Sequence, residues 1–334
     1  MSFALPDLQP ELTMKPTVYG LHHVTTMTTE TQGNVDFYTQ VLGLRMIKVT
    51  VNFDDPTTYH LYYGDAVGSP GSAITFFPWQ NLAARRPGAG EIEATAYTIP
   101  QNTVDWWAKH LDAKGVNVIE PINRFGARGL RFRDSGESSV ELIEGEPEAN
   151  FVAWAESPVP ADKQIRGFHG ATAWVRNAEP TARLFTAVFG LEKLAEEGNR
   201  TRYGLPGKKD GTHFDLVEDP SLPPARHGAG TVHHLAWRVP DDATHATTRA
   251  AIEGAGFSVT PFIDRQYFHS IYFRDPNGLL FEVATDNPGF TVNETLEELG
   301  THLHLPPHYE AHRKQIEAAL PPLKLATRAV APIR

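Results

Sequence analysis

Two adjacent histidine pairs, His22-His23 in LHHVT (21–25) and His233-His234 in VHHLA (232–236), and a glutamate, Glu282 in LLFEVA, could together do chemistry in this chain. There is no cysteine. Thiol nucleophiles, disulfide scaffolds, iron–sulfur clusters and thiolate zinc sites are therefore excluded, and any metal must be held by imidazole and carboxylate. Two imidazoles and one carboxylate on neighbouring strands make the facial triad of non-haem Fe(II) oxygenases, which leaves up to three coordination positions for substrate and oxygen. Mn(II) would also suit these ligands.

An internal repeat selects three of these five residues. Segment one (about 18–80) carries GLHHVTTMT then NVDFYTQVLGLRMI, and segment three (about 165–218) carries GFHGATAWV then PTARLFTAVFGLEKL. Segments two (about 91–147) and four (about 228–285) share Phe-Arg-Asp followed by a glutamate, Phe132 to Glu141 and Phe273 to Glu282. Aligning LHHVT with FHGAT sets Gly170 against His23, the prolines at 100 and 240 set Ala94 against His234, and Phe-Arg-Asp sets Glu141 against Glu282. If consecutive segments paired, neither pair would own three ligands. Pairing one with four unites His23, His234 and Glu282, and leaves Gly170, Ala94 and Glu141 as an erased site. Glu141 shows that a glutamate at this place can persist without metal.

Positioning these residues requires strands. Each segment opens on a short alternating run, continues with apolar residues spaced at three and four (Val35, Tyr38, Val41, Leu42), and closes on β-rich runs between turn residues. Gly43, Gly115, Gly190 and Gly256 follow the last helical turns. Asp134–Gly136 and Pro276–Gly278 read as hairpin turns. The expected fold class is α+β: four βαβββ modules forming two barrel-like mixed sheets, modules 1+4 and 2+3 paired, with a helical C-terminal tail over 292–300 and 309–319. A polar, proline-bearing stretch at 147–164 links an N-terminal half (1–150, modules 1 and 2) to a C-terminal half (151–334, modules 3 and 4 plus the tail).

These features resemble the vicinal oxygen chelate superfamily, which includes glyoxalases, fosfomycin- and bleomycin-resistance proteins and extradiol ring-cleaving dioxygenases. The resemblance covers about residues 18–285. Within it, LHHVT, VHHLA and DRQYFHSIYFRDPNGLLFE look most like the dioxygenases that cleave para-hydroquinones. The resemblance places iron ligands at His23, His234 and Glu282. It implies an Fe(II)-dependent dioxygenase that opens a hydroquinone ring with O2, so that a small aromatic compound and O2 are the expected partners. A catechol-type extradiol enzyme would place its first histidine in segment three, where this chain has Gly170. A glyoxalase-like isomerase needs a fourth protein ligand, and a metal-free aromatic-binding protein would have no need to keep the three residues together.

Successive strand residues face opposite sides, so one histidine of each pair must do something other than ligate. The resemblance makes His22 and His233 candidates for orienting ligands or relaying protons. Thr25 shares the face of His23 and could touch substrate, although Thr172 stands at the same place in the erased half. The resemblance makes Arg265 and Tyr272 substrate contacts and His269 a weaker one. Arg265 maps to Arg124 of the erased half, whereas Tyr272 maps to Arg131 and His269 to Arg128, so the tyrosine is peculiar to the live half.

Composition bounds the rest. The 334 residues carry 30 basic and 40 acidic side chains, a net charge of −10, which disfavours nucleic acid and anionic membrane as partners. No apolar stretch reaches membrane-spanning length and the first residues lack a signal-peptide layout, so cytoplasm is the default location. A homo-oligomer is compatible with the sequence. His302, His304, His308 and His312 read as a solvated tail. Trp106, Trp107, Phe76, Phe77 and Trp79 read as core or barrel-mouth residues. No dinucleotide, P-loop or nucleophile-elbow pattern occurs.

Overall fold

The computed structural model describes residues 17–146, 151–207 and 210–325. Module one runs β1 (Leu21–Thr28), α1 (Thr31–Asp36), β2 (Arg45–Asn52), β3 (Asp55–Gly64) and β4 (Ala73–Pro78). Module two runs β5 (Glu91–Ile99), α2 (Val104–Ala113), β6 (Val118–Arg124), β7 (Ala127–Arg133) and β8 (Ser139–Glu144). Module three comprises β9 (Phe168–Val175), α3 (Glu179–Leu184), β10 (Glu192–Glu197), β11 (Arg200–Gly204) and β12 (His213–Glu218). Module four comprises β13 (Val232–Val239), α4 (Asp242–Gly254), β14 (Ile263–Asp264), β15 (Phe268–Arg274) and β16 (Leu280–Pro288).

Among the described residues sixteen strands form two eight-stranded mixed sheets, β14-β15-β16-β13-β1-β4-β3-β2 and β10-β11-β12-β9-β5-β8-β7-β6. Modules one and four thus share one curled sheet and modules two and three the other, as the ligand argument requires. Each sheet draws strands from both halves of the chain. The seam in each is the antiparallel pairing of two module-opening strands, β1 with β13 and β5 with β9. All eight residues of β1 are buried, as expected of a central strand covered on both faces.

Consecutive modules are tied through the Phe-Arg-Asp aspartates. Asp134 accepts the backbone N–H groups of Gly136 and Ser138, closing the β7–β8 turn, and receives the Tyr38 hydroxyl at 2.9 Å. Asp275 closes the β15–β16 turn by accepting the Leu279 N–H and receives Thr181 from α3. Both α1 and α3 widen into a π-turn, Phe37–Val41 and Phe185–Phe189, and the chain then turns at Gly43 (φ +71°) and Gly190 (φ +73°), a conformation that favours glycine. Those π-turns put large rings into the core, where Phe185 and Phe189 pack edge-on and tilted against Trp237. Trp107 and Phe76 are fully buried core residues.

The C-terminal segment corrects two expectations. The stretch 292–300 is a series of turns following a short 3-10 turn at Phe290–Val292, not a helix. Lys48 of β2 takes the Phe290 carbonyl and the Asn293 and Glu294 side chains, which holds this stretch across the sheet. Among the described residues beyond 292, Pro307–His312 (3-10) and α5 (Arg313–Ala319) are helical. The histidine-bearing tail is exposed at His302, His308 and His312, as expected, but not along its whole length: Leu305, Ile316 and Leu320 are buried, and the His304 N–H donates to the Val49 carbonyl. Apolar burial fixes it to the sheet. Residues 147–150 of the expected linker lie outside the described residues. Among the described residues no helix is long and apolar enough to cross a membrane.

Candidate metal centre

The seam of β1 and β13 brings His23 and His234 together, and β16, parallel to β13, adds Glu282 beside Ala236. The two Nε2 atoms are 3.4 Å apart, and they lie 3.2 Å and 3.0 Å from Glu282 Oε2. Bonds of about 2.0–2.2 Å at right angles put neighbouring donors about 3 Å apart, so these three atoms mark one face of an octahedron. All three residues are buried. Ser270 donates to Glu282 Oε1, whereas Oε2 is buried without a hydrogen-bond partner. A buried carboxylate oxygen with no donor is costly. A divalent cation among these donors would satisfy it, and the residues therefore fit a metal.

Burial pushes the Glu282 carboxyl up, but the imidazoles of His23 and His234 outweigh it and hold the group well below the usual carboxylate range. Burial lowers the pKa of His234. Neutral imidazole and ionised carboxylate are the forms that bind metal.

Both histidine pairs sit on β-bulges. Between Leu21 and His23 β1 advances two residues against one on β13, and between His234 and Val232 β13 does the same against β1. His22 and His233 are the extra residues, and a bulge re-aims a side chain out of simple alternation. Thus His22 Nδ1 lies 2.9 Å from His23 Nδ1, and His233 Nδ1 lies 2.7 Å from His234 Nδ1. A histidine ligating through Nε2 carries its proton on Nδ1, so each ligand would donate to the histidine before it. Burial, reinforced by the adjacent histidine, pushes His22 and His233 down to about 3, which keeps both neutral as acceptors.

His23 and His234 line a cavity of about 400 Å³, within the range of small-molecule sites. Its walls include Phe53, Phe77, Trp79, Phe268 and Tyr62. His233, Arg265 and Tyr272 also line it. Arg265 Nε donates to the Tyr272 hydroxyl at 3.3 Å, and its Nη2 lies 3.1 Å from Asp54. Burial pushes the Tyr272 phenol well up, so it stays protonated.

Three other expected residues lie elsewhere. His22 faces a smaller cavity beside Phe290 and touches this site through His23 and, edge-on, through Phe268. Thr25 is fully buried beneath the cavity, its hydroxyl 2.7 Å from that of Thr75. His269 does not border the cavity, because alternation along β15 turns Phe268, Ser270 and Tyr272 inward and His269 outward to Asp242 at 2.6 Å.

Sequence reasoning missed His60 and Tyr62 of β3. His60 lines the cavity with Nε2 2.8 Å from Thr75 Oγ1 and Nδ1 2.8 Å from the Tyr62 hydroxyl. Register places Arg200 and Arg202 at their positions in the other sheet. The same internal comparison could have found them, but the offset between modules one and three changes along the chain and hides the match.

The model of the Glyoxalase/Bleomycin resistance protein/Dioxygenase superfamily matches residues 20–142 and 167–283. MhqO of Bacillus subtilis (strain 168), named as a ring-cleaving dioxygenase, is 43% identical over 307 residues, 92% of this chain and 97% of that protein. The chlorohydroquinone/hydroquinone 1,2-dioxygenase of Sphingobium indicum is 35% identical over 308 residues, 90% of this chain and 95% of that one. A Bacillus subtilis crystal structure described as a dioxygenase shares a TM-score of 0.87 at 42% identity, covering 93% of this chain and 99% of its own. Glyoxalase I from Zea mays shares the fold, with a TM-score of 0.62 at 14% identity over 85% of this chain and 97% of its own. The match takes in every module and all three converging side chains, and the chain belongs to the Glyoxalase/Bleomycin resistance protein/Dioxygenase superfamily.

Proposed function

We propose that the chain is an Fe(II)-dependent ring-cleaving dioxygenase that opens a hydroquinone, substituted or not, with O2. The observation that carries this reading is the convergence of His23, His234 and Glu282 on one face, with the orphaned Glu282 oxygen, where the two histidines line an aromatic-walled cavity. The names of the relatives support the reaction class and, in the Sphingobium enzyme, the hydroquinone.

Bound Fe(II) supplies the redox chemistry, moving electron density from an electron-rich ring to oxygen. The protein does the rest. His22 and His233 hold the two ligand rings through their Nδ1 atoms. Accepting at Nδ1 leaves His233 with its proton on Nε2, so it presents a donor at the cavity edge. Tyr272 accepts from Arg265 and keeps its own proton for a substrate oxygen. Phe77, Trp79 and Phe268 pack the ring and exclude water.

The test is oxygen uptake after anaerobic Fe(II) loading, with a hydroquinone and a catechol side by side. Uptake with hydroquinone and a ring-opened product is expected. Uptake with catechol alone, or none with either, contradicts the reading.

A further inference from the structure

Beyond β16 the chain folds back along β2, where three side chains outside the cavity converge. We propose that Glu294, His302 and His304 form a second divalent-metal site, of the type that takes Zn(II) or Co(II), tying the C-terminal segment to the sheet that carries the first site. His302 and His304 flank Leu303, which bridges Val49 of β2, and their rings lie side by side. The backbone bond from His304 to Val49, 2.9 Å, fixes that register.

His304 Nε2 lies 2.9 Å from Glu294 Oε1, the two imidazole centroids are 4.4 Å apart, and one donor atom from each of the three residues falls within 4.8 Å of the others. Glu294 is 7% exposed, and both its Oε1 and His304 Nε2 are buried without a hydrogen-bond partner, close together but not aligned to satisfy each other. Lys48 occupies the other Glu294 oxygen, which turns Oε1 towards the histidines. Thr301 Oγ1 lies 2.8 Å from His302 Nδ1, leaving Nε2 of this exposed residue able to swing in.

Two imidazoles, one carboxylate and a water make a four-coordinate set at bonds of about 2.0–2.2 Å, a donor mix that favours zinc-like over calcium-like ions. Burial and the nearby Lys48 push His304 down to about 4, so no proton need be displaced at neutral pH. The same tail carries Tyr309, whose hydroxyl donates to the Phe53 carbonyl at 2.9 Å, and Phe53 lines the cavity. Metal here would stiffen that wall.

The experiment titrates Co(II), without oxygen, into the metal-free full chain and counts bound cobalt by equilibrium dialysis, the intense visible absorption of four-coordinate cobalt marking the tail site. Two equivalents are expected in the unaltered chain. The weaker one persists in His234→Ala and is lost in His302→Ala, which keeps the first; His308→Ala, in the same tail, keeps both. An unchanged Tm in His302→Ala, whose side chain is exposed, shows that the loss is not unfolding. One equivalent in the unaltered chain, or two in His302→Ala, overturns the proposal. Loss of the first equivalent alone, in His234→Ala, reports separately on the cavity site.

Discussion

In the sheet of modules one and four, His23 stands beside Ala73 on β4 and Ala236 on β13; the matching rungs of the other sheet hold Gly170 beside His213 on β12 and Ala96 on β5. An imidazole is present at this level in both, but on neighbouring strands. A Cβ on Gly170 would meet the His213 carbonyl at 2.3 Å, so the vacated space is closed. The glutamates diverge as well. Glu282 keeps one oxygen without a donor, whereas both oxygens of Glu141 are taken by Arg124 at 3.0 Å each. Where the live sheet has the chain Thr25, Thr75 and His60, the other has Thr172, Asp215 and Arg200, with Arg202 bound to Asp215. A buried carboxylate in this register needs a cation. On the proposed reading one barrel uses a metal for it, whereas in the other arginines hold Glu141 and Asp215, which accounts for the persistence of Glu141. His169, at the bulge matching His22, lies with Nδ1 3.1 Å from Asp210 and Nε2 3.3 Å from His213, a separate cluster of three that leaves out Glu141 and its arginine.

The comparison breaks most visibly at the triad. His23→Ala, His234→Ala or Glu282→Ala should each abolish oxygen uptake and iron retained after desalting, since two remaining donors do not define a face. In the arginine barrel the same kind of change should act on stability instead. Glu141→Ala leaves the mostly buried Arg124 with Asp215 alone, at 3.8 Å, and should cost about 3 kcal/mol in denaturant unfolding, with iron content unchanged. A loss of iron there would mean that the two sites are not separate. His22→Phe and His233→Phe, which remove the partners of the ligand Nδ1 atoms, should each cost about 10- to 100-fold in iron affinity or activity. Wild-type affinity in both would assign the pairs a packing role alone.

The smallest effect is a pH dependence of the arginine barrel. Burial pushes His213 down from 6.5 to about 3. Between these values the unfolded chain binds a proton that the folded chain does not, so stability falls as pH drops from 6.5 towards 3, by at most about 1.4 kcal/mol per unit. His213→Gln should flatten that slope in unfolding curves at pH 7 and 5. An unaltered slope would place the titration elsewhere.

The module pairing and the convergence of His23, His234 and Glu282 were legible because the chain holds its own comparison, and a triad needs all its members in one barrel. The Phe-Arg-Asp motif marked the last hairpin of modules two and four, and its aspartate proves to close that turn and receive a helix residue. Strand alternation was enough to set His22 apart from His23. It could not reveal that a bulge brings the two rings back into contact, since a bulge depends on the register with the partner strand. His60 stayed hidden because its site partners, Thr75 and Tyr62, come together only through β3–β4 pairing. The tail misled because turn-forming and helix-forming residues alternate there, and contacts with Lys48 decide between them.

The central claim is that one barrel holds a metal and its sister does not. Iron analysis after anaerobic Fe(II) loading and desalting, run with hydroquinone-dependent oxygen uptake on His234→Ala and Glu141→Ala in parallel, tests it most directly. The account predicts about one retained iron in the unaltered chain and in Glu141→Ala, both active, and neither iron nor activity in His234→Ala. Iron and activity surviving in His234→Ala, or lost in a folded Glu141→Ala, would contradict it.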